Sequence, residues 1–347
     1  MKIVVIRHSI RNRGGDRLIL DYLHDLIQKG HEVVYWTNEI KTDFLIEQRI
    51  QIKKIPYKGV LGTILFSLLT KFSADVVLVD VVALSVFVVL RNRGKVIYLA
   101  QDDDRSYYSS IILKTLTHGF YRFSLTLMKT PMICVSQYLA DRLAVYSSRK
   151  VVVVPNGIDA KIFFHEKKSK HSIQKTTPYA IVLYARDDYR KGFDVGIKAI
   201  EELARIRGVM DWELWLIGDA KRNINTTGLK ITRWGFLKDV ELRSVLSGAD
   251  VYLSSSRHEG FGLMQLEAMA CGCVMVTTEA FALAKNDFNG LVSKVEDWKS
   301  LGQDLNRVLN DRLLFARLRS NGVQLVDQHQ LEVSCRKFEQ ALNQLLV

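Results

Sequence analysis

Two kinds of hydrophobic pattern alternate along the chain. Short apolar runs rich in β-branched residues are typical of buried strands: KIVVI, HEVVYW, DVVLV, KVIYLA, MICV and VVVV in the first half, and AIVLYA, ELWLIG, DVYLS and CVMVTT in the second. Between them, segments such as DRLILDYLHDLIQKG and VGIKAIEELARIRG carry apolar residues at helical spacing. This alternation predicts an α/β fold with parallel sheets covered by helices on both faces.

The alternation stops at residues 153–178, a basic, polar stretch that contains proline and glycine. We predict that this stretch links two doubly wound, Rossmann-like domains, which face a central cleft at the carboxyl ends of their strands. The expected domains are residues 1–160 and 161–327. Residues 328–347 are expected to form a helix that packs back toward the N-terminal domain.

Composition supports a compact protein in a reducing compartment. A chain of 347 residues with 48% hydrophobic residues can bury a large core. The four cysteines form no CxxC pair, so buried thiols are expected at Cys134, Cys271, Cys273 and Cys335. Charge interrupts the N-terminal apolar run after six residues, which predicts a first strand and not a signal peptide. We therefore expect a cytoplasmic location.

The formal net charge of +12 indicates an anionic partner, which would be nucleic acid, a membrane surface or a substrate. No helix-turn-helix or zinc-finger pattern accompanies the charge, so nucleic acid ranks last. The apolar stretches GVLGTILFSLL and VVLVDVVALSVFVVL are too short or carry an aspartate, against about 20 apolar residues for a spanning helix. The chain is expected to lie on a membrane at most, at its inner face.

Two loops carry residues suited to phosphate binding. In RHSIRNRGGDRLIL, Gly14 and Gly15 precede a helix, where backbone N–H groups favour anions; a tight turn without a ligand is the alternative. In LYARDDYRKG, Arg186, Arg190 and Lys191 follow a strand, and cations at a strand end suit a diphosphate. The alternative for this second loop is a solvated charge run that pairs with its own aspartates.

A third candidate region surrounds the next two strand ends. Gly218 ends the run ELWLIG, and Trp234, Gly235 and Phe236 precede another helix. Backbone amides and aromatic rings at such loops can hold a nucleobase. Aromatic side chains that simply fill the core are the alternative.

The strongest local signal is SRHEGFGLMQLEAMACGC, residues 256–273. If the glycines form a loop and a helix begins near Leu263, Glu259 lies on the loop and Glu267 one turn inside the helix. Glu267 would then accept hydrogen bonds from ribose hydroxyls and Glu259 from a second sugar. The N–H groups of Phe261, Gly262, Leu263 and Met264 would meet a phosphate between them. An ordinary exposed helical glutamate is the alternative for Glu267.

Two further segments have open interpretations. QDDDR contains an Asp-x-Asp spacing at Asp102 and Asp104, but we favour a helix N-cap with acidic residues in the first turn. Residues 106–131 interleave aromatic and aliphatic residues with Lys114, Arg122 and Lys129, as interfacial helices do. A long core helix is the alternative for this second segment.

Together these segments resemble the retaining nucleotide-sugar glycosyltransferases of family 4, which have the GT-B fold. Residues 256–273 resemble the family's two-glutamate motif, and RDDYRKG is similar to its phosphate clamp. GGDRLILDYLHDLIQKGHEV resembles its first loop and helix, and VVPNGID its interdomain segment. The resemblance covers nearly the whole chain.

The resemblance implies roles for individual residues. Glu259, Arg186 and Lys191 would be catalytic, with the two cations neutralising the diphosphate. The donor-binding residues would be Glu267, Gly14, Gly15, Gly218, Phe236, Phe261, Gly262, Leu263 and Gln101. No metal ligand and no cofactor other than the nucleotide sugar, linked to UDP, GDP or dTDP, is expected. The N-terminal domain would lie on the acceptor side and the C-terminal domain on the donor side.

The chain departs from the family pattern at three places. Gln101 stands where many members have a histidine, and a glutamine side chain can bond a sugar but cannot take a proton. Cys273 stands where proline is common, which we interpret as a packing change. The Gly-Gly pair often found after the next strand is absent around TTEAFALAKND, so that part of the donor loop stays unassigned.

The implied function is metal-independent transfer of a sugar, with retention of configuration, to a hydroxyl of a glycan or lipid-linked glycan, as in polysaccharide biosynthesis. An inactive sugar-nucleotide-binding protein is the main alternative. A phosphorylase would need a lysine that holds pyridoxal phosphate, and no segment suggests one. A basic nucleic-acid-binding protein is the third alternative.

Overall fold

The computed structural model describes residues 1–166, 173 and 175–346. The strands, numbered in chain order, are β1 Lys2–Ile6, β2 Ser9–Arg11, β3 Glu32–Thr37, β4 Glu39–Lys41, β5 Gln51–Lys54, β6 Val76–Val79, β7 Val96–Ala100, β8 Met132–Cys134, β9 Val152–Val153, β10 Tyr179–Tyr184, β11 Trp212–Ile217, β12 Ile231–Gly235, β13 Val251–Ser254, β14 Val274–Thr278 and β15 Leu291–Ser293. The helices are α1 Gly14–Gln28, α2 Gly59–Leu69, α3 Val82–Arg91, α4 Ile111–Tyr121, α5 Gln137–Leu143, α6 Phe193–Arg207, α7 Asp239–Gly248, α8 Leu263–Ala270, α9 Trp298–Asn310, α10 Arg312–Asp327 and α11 Leu331–Leu345.

Two compact units make up the chain. Unit 1 contains Met1–Asn156 and Glu332–Val347, and unit 2 contains Gly157–Leu331. The expected domain divisions were 160/161 and 327/328. Part of the predicted linker, residues 167–172 and 174, lies outside the described residues.

Unit 1 is built on a parallel sheet in the order β5-β3-β1-β6-β7-β8-β9. Its central strands are buried along their whole length because helices cover both faces, and this burial selects the β-branched runs seen in the sequence. Helix α11 belongs almost entirely to this unit. The rings of Tyr22 in α1 and Phe338 in α11 stack with centroids 4.2 Å apart, and the Tyr22 hydroxyl lies 2.8 Å from Ser334 Oγ.

Unit 2 has a second parallel sheet in the order β12-β11-β10-β13-β14-β15. Trp212 and Trp215 on β11 are among its largest fully buried side chains. Each predicted apolar run in the two halves contains a strand, and the α/β prediction of two Rossmann-like sheets is confirmed. The strands that were not predicted are β12 and β15 in this unit and the short β2, β4 and β5 in unit 1, because none of them is a long apolar run.

The four cysteines are buried and unpaired, as predicted. Cys273, at the position where proline is common in the family, places its Sγ 3.1 Å from the carbonyl oxygen of Leu246. Burial raises the pKa of the Cys134 thiol to about 12. Such a thiol stays protonated at neutral pH and behaves as a small hydrophobic group.

Residues 106–131 match neither of the two interpretations over their whole length. Helix α4 ends at Tyr121, and a π-helical segment, Arg122–Leu127, follows it directly. Tyr121 and Leu125 are fully buried, whereas Ile111 and Ile112 at the start of α4 are 78% and 74% exposed. The segment is therefore core at its C-terminal end and exposed and apolar at its N-terminal end. No helix among the described residues is long and apolar enough to cross a membrane.

The acidic run QDDDR serves local structure. Asp103 caps the 3-10 turn Asp104–Tyr107 by accepting a hydrogen bond from the Arg105 N–H, and it pairs with Arg105 and Arg142 at 2.7 Å each. The predicted N-cap is therefore present on a short turn, whereas the helix of this segment begins later, at Ile111. The buried Asp104 carboxyl accepts a 2.6 Å hydrogen bond from Val82 N–H at the start of α3.

Asp104 should make the stability of the protein depend on pH. Burial raises its pKa to about 8, with the Val82 N–H opposing the rise and nearby aspartates reinforcing it. A carboxyl whose folded-state pKa is raised favours folding when protonated, so its contribution is complete at acidic pH and is lost as the pH rises through about 8. Asp104→Asn should therefore gain stability relative to wild type as the pH rises from about 4 to about 8.

Denaturant unfolding at several pH values measures this difference in the free energy of unfolding. A difference between Asp104→Asn and wild type that stays constant with pH would contradict the prediction.

Candidate active site

Lys191 and Glu259 form a partly buried ion pair at the carboxyl ends of β10 and β13 in the unit 2 sheet. Lys191 ends the 3-10 turn Tyr189–Lys191 that follows β10, and Glu259 lies on the loop between β13 and α8. Because β10 and β13 are parallel neighbours, their carboxyl ends bring the two loops together. The Nζ of Lys191 lies 2.9 and 2.8 Å from the two carboxylate oxygens of Glu259. The residues predicted to serve one ligand thus touch each other.

Further hydrogen bonds fix the Glu259 carboxylate. Ser256 Oγ donates to its Oε1 at 2.7 Å, and Gln265 Nε2 donates to the same atom at 2.9 Å. Burial opposes ionisation of Glu259, but Lys191 and these two donors outweigh it and lower the pKa of Glu259 below its ordinary value. Glu259 is therefore held as an anion. The sequence analysis missed Ser256 and Gln265, whose only signal was proximity to Glu259 along the chain.

Helix α8 begins at Leu263, as predicted. Gly262 precedes it with φ 97°, in the left-handed region, and a Cβ at this position would lie 2.5 Å from the Phe281 ring. Only glycine meets both conditions. Glu267 lies one turn inside the helix and is buried, so the exposed-glutamate alternative is wrong. Phe261 is also buried and contacts the His329 ring edge-on at 5.6 Å, which leaves its backbone as the part suited to a ligand.

The loop after β10 divides its charges between two uses. Arg190 pairs with Asp188 at 2.7 Å, and Asp187 pairs with Arg222 at 3.2 Å, so the charge-run interpretation holds for these aspartates. Lys191 turns instead to Glu259. Arg186 is half-buried and has no ion-pair partner among the residues that the structure describes. It is the cation of this loop best suited to an incoming anion.

Gly218 has a structural reason of its own. Its φ is 115°, and a Cβ would lie 2.3 Å from the carbonyl oxygen of Ala185, so the backbones at the ends of β10 and β11 approach closely there. Its N–H donates to the carbonyl of Gly235 at 2.7 Å. Trp234 packs edge-on against Trp215, as the core interpretation expects, whereas Phe236 is 67% exposed. Phe236 is thus the aromatic group of this loop that a nucleobase could reach.

In unit 1, Gly14 and Gly15 form the first turn of α1 and not the loop before it. The predicted start of the helix is therefore two residues late. The reason for glycine at position 15 is contact: a Cβ there would lie 2.6 Å from the side-chain oxygen of Gln101. Gln101 and the glycine pair, predicted from separate segments, are neighbours in this unit.

An ionic network behind Gln101 was not predicted. Gln101 Nε2 donates to Asp80 at 3.1 Å, Arg7 pairs with Asp80 at 3.1 Å, and Arg7 pairs with Asp16 at 2.6 Å. Burial works against the charge on Arg7, but Asp80 and other neighbours raise the pKa of Arg7 above its ordinary value. Arg7, Asp80 and Gln101 directly follow β1, β6 and β7, and this shared strand-end position was the signal available in the sequence.

Two family models match the chain in succession. The model for Glycosyltransferase Family 4 matches residues 12–162, and that for glycosyl transferases group 1 matches residues 164–324. A glycosyltransferase of undetermined role from Methanocaldococcus jannaschii is 26% identical over 225 residues, 61% of this chain and 59% of the relative. A GDP-mannose-dependent α-(1-6)-phosphatidylinositol dimannoside mannosyltransferase of Mycobacterium tuberculosis is 31% identical over 162 residues, 44% of this chain and 42% of the relative. The chain thus spans three fifths or less of the length of these two relatives.

Solved structures extend the likeness to the whole fold. A sucrose-phosphate synthase from Thermosynechococcus elongatus superimposes with a TM-score of 0.78 at 16% identity, and each chain is covered to 99%. The Anabaena protein HepE, solved in complex with UDP and glucose, gives 0.78 at 18% identity with the same coverage. The two family models and this shared fold confirm the family and the fold seen in the sequence resemblance, and the chain belongs to the family 4-like glycosyltransferases with the GT-B fold.

Proposed function

We propose that the protein transfers a sugar from a nucleoside-diphosphate sugar to an acceptor hydroxyl, with retention of configuration and without a divalent metal. The observation that carries the proposal is the partly buried Lys191–Glu259 pair, with Arg186 on the same loop as the lysine. A cation and a carboxylate fixed side by side suit a substrate that carries a diphosphate next to a sugar.

Binding of the donor would use unit 2. Arg186 and Lys191 would bind the diphosphate oxygens, and the N–H groups at the start of α8 would add further donors. Glu267 would accept hydrogen bonds from the ribose hydroxyls, and Phe236 and the backbone near Gly218 would hold the base. Support comes from the HepE complexes with UDP and UDP-glucose and from the GDP-mannose dependence in the mycobacterial relative's name. The nucleotide would be UDP, GDP or dTDP.

The chemistry follows from where charge develops. Cleavage of the bond between sugar and diphosphate places negative charge on the leaving group, which Arg186 and Lys191 would stabilise. The sugar becomes oxocarbenium-like, and the Glu259 carboxylate would stabilise that positive charge and orient the sugar hydroxyls. The acceptor hydroxyl would attack on the face that the diphosphate leaves and pass its proton to the departing diphosphate oxygen, which would retain the configuration. Fixed cations would do here what a metal does elsewhere.

The acceptor would be a glycan or lipid-linked glycan, and we propose polysaccharide biosynthesis at the inner face of a membrane as the setting. Support for the membrane comes from α4, whose first turn exposes Ile111 and Ile112 beside Lys114. Gln101, Gly14 and Gly15 belong to unit 1, and their donor-binding role stays a prediction. The competing proposal, an inactive sugar-nucleotide-binding protein, is separated from this one by measuring turnover.

Substitution of Glu267 should weaken nucleotide binding, whereas substitution of Glu259 should slow sugar transfer. Glu267→Ala should weaken binding of the free nucleotide by roughly 1.5 to 3 kcal/mol, about 10- to 150-fold, because the ribose loses a charged acceptor. Glu259→Gln should bind the nucleotide normally but transfer sugar at least about 100-fold more slowly, because the sugar loses its carboxylate. Calorimetry with the nucleotide and initial rates with the full donor measure the two effects. Equal nucleotide affinity in Glu267→Ala and wild type would remove the ribose role.

Transfer should survive exhaustive EDTA treatment. Lys191→Ala without chelator should lose about 3 to 4 kcal/mol of transition-state stabilisation, a 100- to 1,000-fold fall in rate, because the lysine is assigned the task of a metal. Arg222→Ala is the matched control. Arg222 is a half-exposed cation in the loop after β11, and it pairs with Asp187 of the Lys191 loop. Activity that EDTA abolishes and Mn²⁺ or Mg²⁺ restores, with Lys191→Ala nearly normal, would overturn metal independence.

The start of α4 should bind anionic membranes. Wild type should float with phosphatidylglycerol-containing liposomes at low salt, and the double variant Ile111→Ser, Ile112→Ser should stay at the bottom of the gradient, because it lacks the apolar residues that enter the interface. Met210→Ser is the control, since Met210 is a 90% exposed apolar residue of unit 2. Wild type that fails to float at low salt contradicts the membrane proposal.

A further inference from the structure

The guanidinium of Arg257, two residues before Glu259, is almost fully buried among polar groups. It donates to both carboxylate oxygens of Asp194 at 2.8 and 2.7 Å and to the carbonyl oxygen of Tyr189 at 2.9 Å. It also donates through Nε and Nη2 to the two carboxylate oxygens of Glu296. A guanidinium has five N–H donors, and these contacts use all of them.

These contacts tie together the two loops that carry the ion pair. Tyr189 begins the 3-10 turn that ends in Lys191, and the Arg257 guanidinium lies over the Tyr189 ring, 4.1 Å from its centroid. The backbone N–H of Arg257 donates to the carbonyl of Arg190 at 2.7 Å. Arg257 therefore holds the Lys191 loop through side chain and backbone, while its own loop carries Glu259.

The two carboxylates that bind Arg257 are themselves fixed by the structure. Asp194 is in the first turn of α6, and hydrogen bonds from Arg257 lower the pKa of Asp194. Glu296 is one of the few described non-glycine residues with positive φ, at 68°, a conformation that L-residues rarely adopt. A strained backbone persists only where its surroundings hold it, and here both oxygens of the strained residue bind the same guanidinium.

We propose that Arg257 is a positioning residue that sets the distance between Lys191 and Glu259 before any donor binds. Its catalytic consequence rests on the proposed function, but its structural consequence does not. We call the hydrogen bonds of the Arg257 guanidinium to Tyr189, Asp194 and Glu296 the clasp. With the clasp intact, Lys191 stays against Glu259, and both face the donor in a fixed arrangement. Without it, the turn Tyr189–Lys191 loses its side-chain attachment to the Glu259 loop.

A lysine cannot replace this arginine. An ammonium group has three donors at one point, whereas the partners of Arg257 lie on three separate segments. Arg257→Lys keeps the charge but releases at least one partner. Lys191 would then spend less time against Glu259, and burial, which opposes ionisation of Glu259, would no longer be fully offset.

Arg207→Lys is the matched control. Arg207 is 13% exposed, as Arg257 is 10% exposed, and it also binds both oxygens of one carboxylate, that of Asp211. It lies over a tyrosine ring too, that of Tyr179. Arg207 is the last residue of α6 and Asp194 lies in its first turn, so the contacts of Arg207 and those of Arg257 are about 20 Å apart along the helix.

The experiment is a titration of the Glu259 carboxyl by ¹³C NMR in glutamate-labelled full-length protein, with its signal assigned by its loss in Glu259→Gln. In Arg257→Lys the pKa of Glu259 should rise by about 1 pH unit, as expected when an opposite charge withdraws. In Arg207→Lys it should equal the wild-type value. Asp194→Asn, which weakens the clasp and keeps Arg257, should shift the pKa in the same direction by less and serves if Arg257→Lys does not fold.

Initial rates separate this inference from the proposed function. Arg257→Lys should lower kcat at least 10-fold with a smaller change in the donor KM, and the acidic limb of its pH profile should move up with the Glu259 pKa. A wild-type Glu259 pKa in both Arg257→Lys and Asp194→Asn overturns the positioning role, whatever the activity. If the Glu259 pKa is raised in these variants but the wild-type protein transfers no sugar, the positioning role is supported and the proposed function is refuted.

Discussion

The ion pair between Lys191 and Glu259 holds together the two loops that follow β10 and β13. Burying two charges is costly, and the cost is offset only when geometry is good and the remaining hydrogen-bonding positions are filled. Ser256 and Gln265 fill them on the carboxylate side. Replacement of a buried ion pair by an apolar pair of similar volume is often neutral or stabilising. The charges therefore indicate a role other than stability, and the charged donor proposed above would supply one.

The loops around this pair leave little freedom for change. Gly192 follows Lys191 at φ 60°, and a Cβ there would lie 2.0 Å from the carbonyl oxygen of Ser255. Gly262 is restricted in the same way by the Phe281 ring. Two backbone positions that only glycine tolerates thus flank the pair, one on each loop. The geometry is set by close backbone approach and polar contacts, which fits a site formed before its ligand arrives.

The central strands and the two loops of the candidate site were predictable from the sequence. The apolar runs identified the central strands because buried parallel strands select β-branched residues. Glu259 and Lys191 stood out because each lies beside a glycine at a strand end. Their direct contact was not predictable, since they are 68 residues apart and meet only because β10 and β13 are neighbours. Strand order depends on packing between elements, which no local pattern encodes.

The residues that escaped prediction share this dependence on neighbours. Arg257 reads as an ordinary surface charge in the sequence, and its burial comes from segments near residues 189, 194 and 296. Arg7 and Asp80 follow strands that are adjacent in the sheet but distant along the chain. Gly15 lies against the Gln101 side chain, whose oxygen would be 2.6 Å from a Cβ at position 15. Local sequence identified the candidate loops, and tertiary contacts decided their partners.

The central claim is that the edge of the unit 2 sheet at Lys191 and Glu259 binds the donor. A crystal structure with an intact nucleotide sugar tests it most directly, using whichever of UDP-, GDP- and dTDP-glucose raises the melting temperature most. The account predicts diphosphate oxygens within hydrogen-bond distance of Arg186 and Lys191, and ribose hydroxyls on the Glu267 carboxylate. A nucleotide sugar bound elsewhere, with Lys191 and Glu259 free of contact with it, would contradict the account.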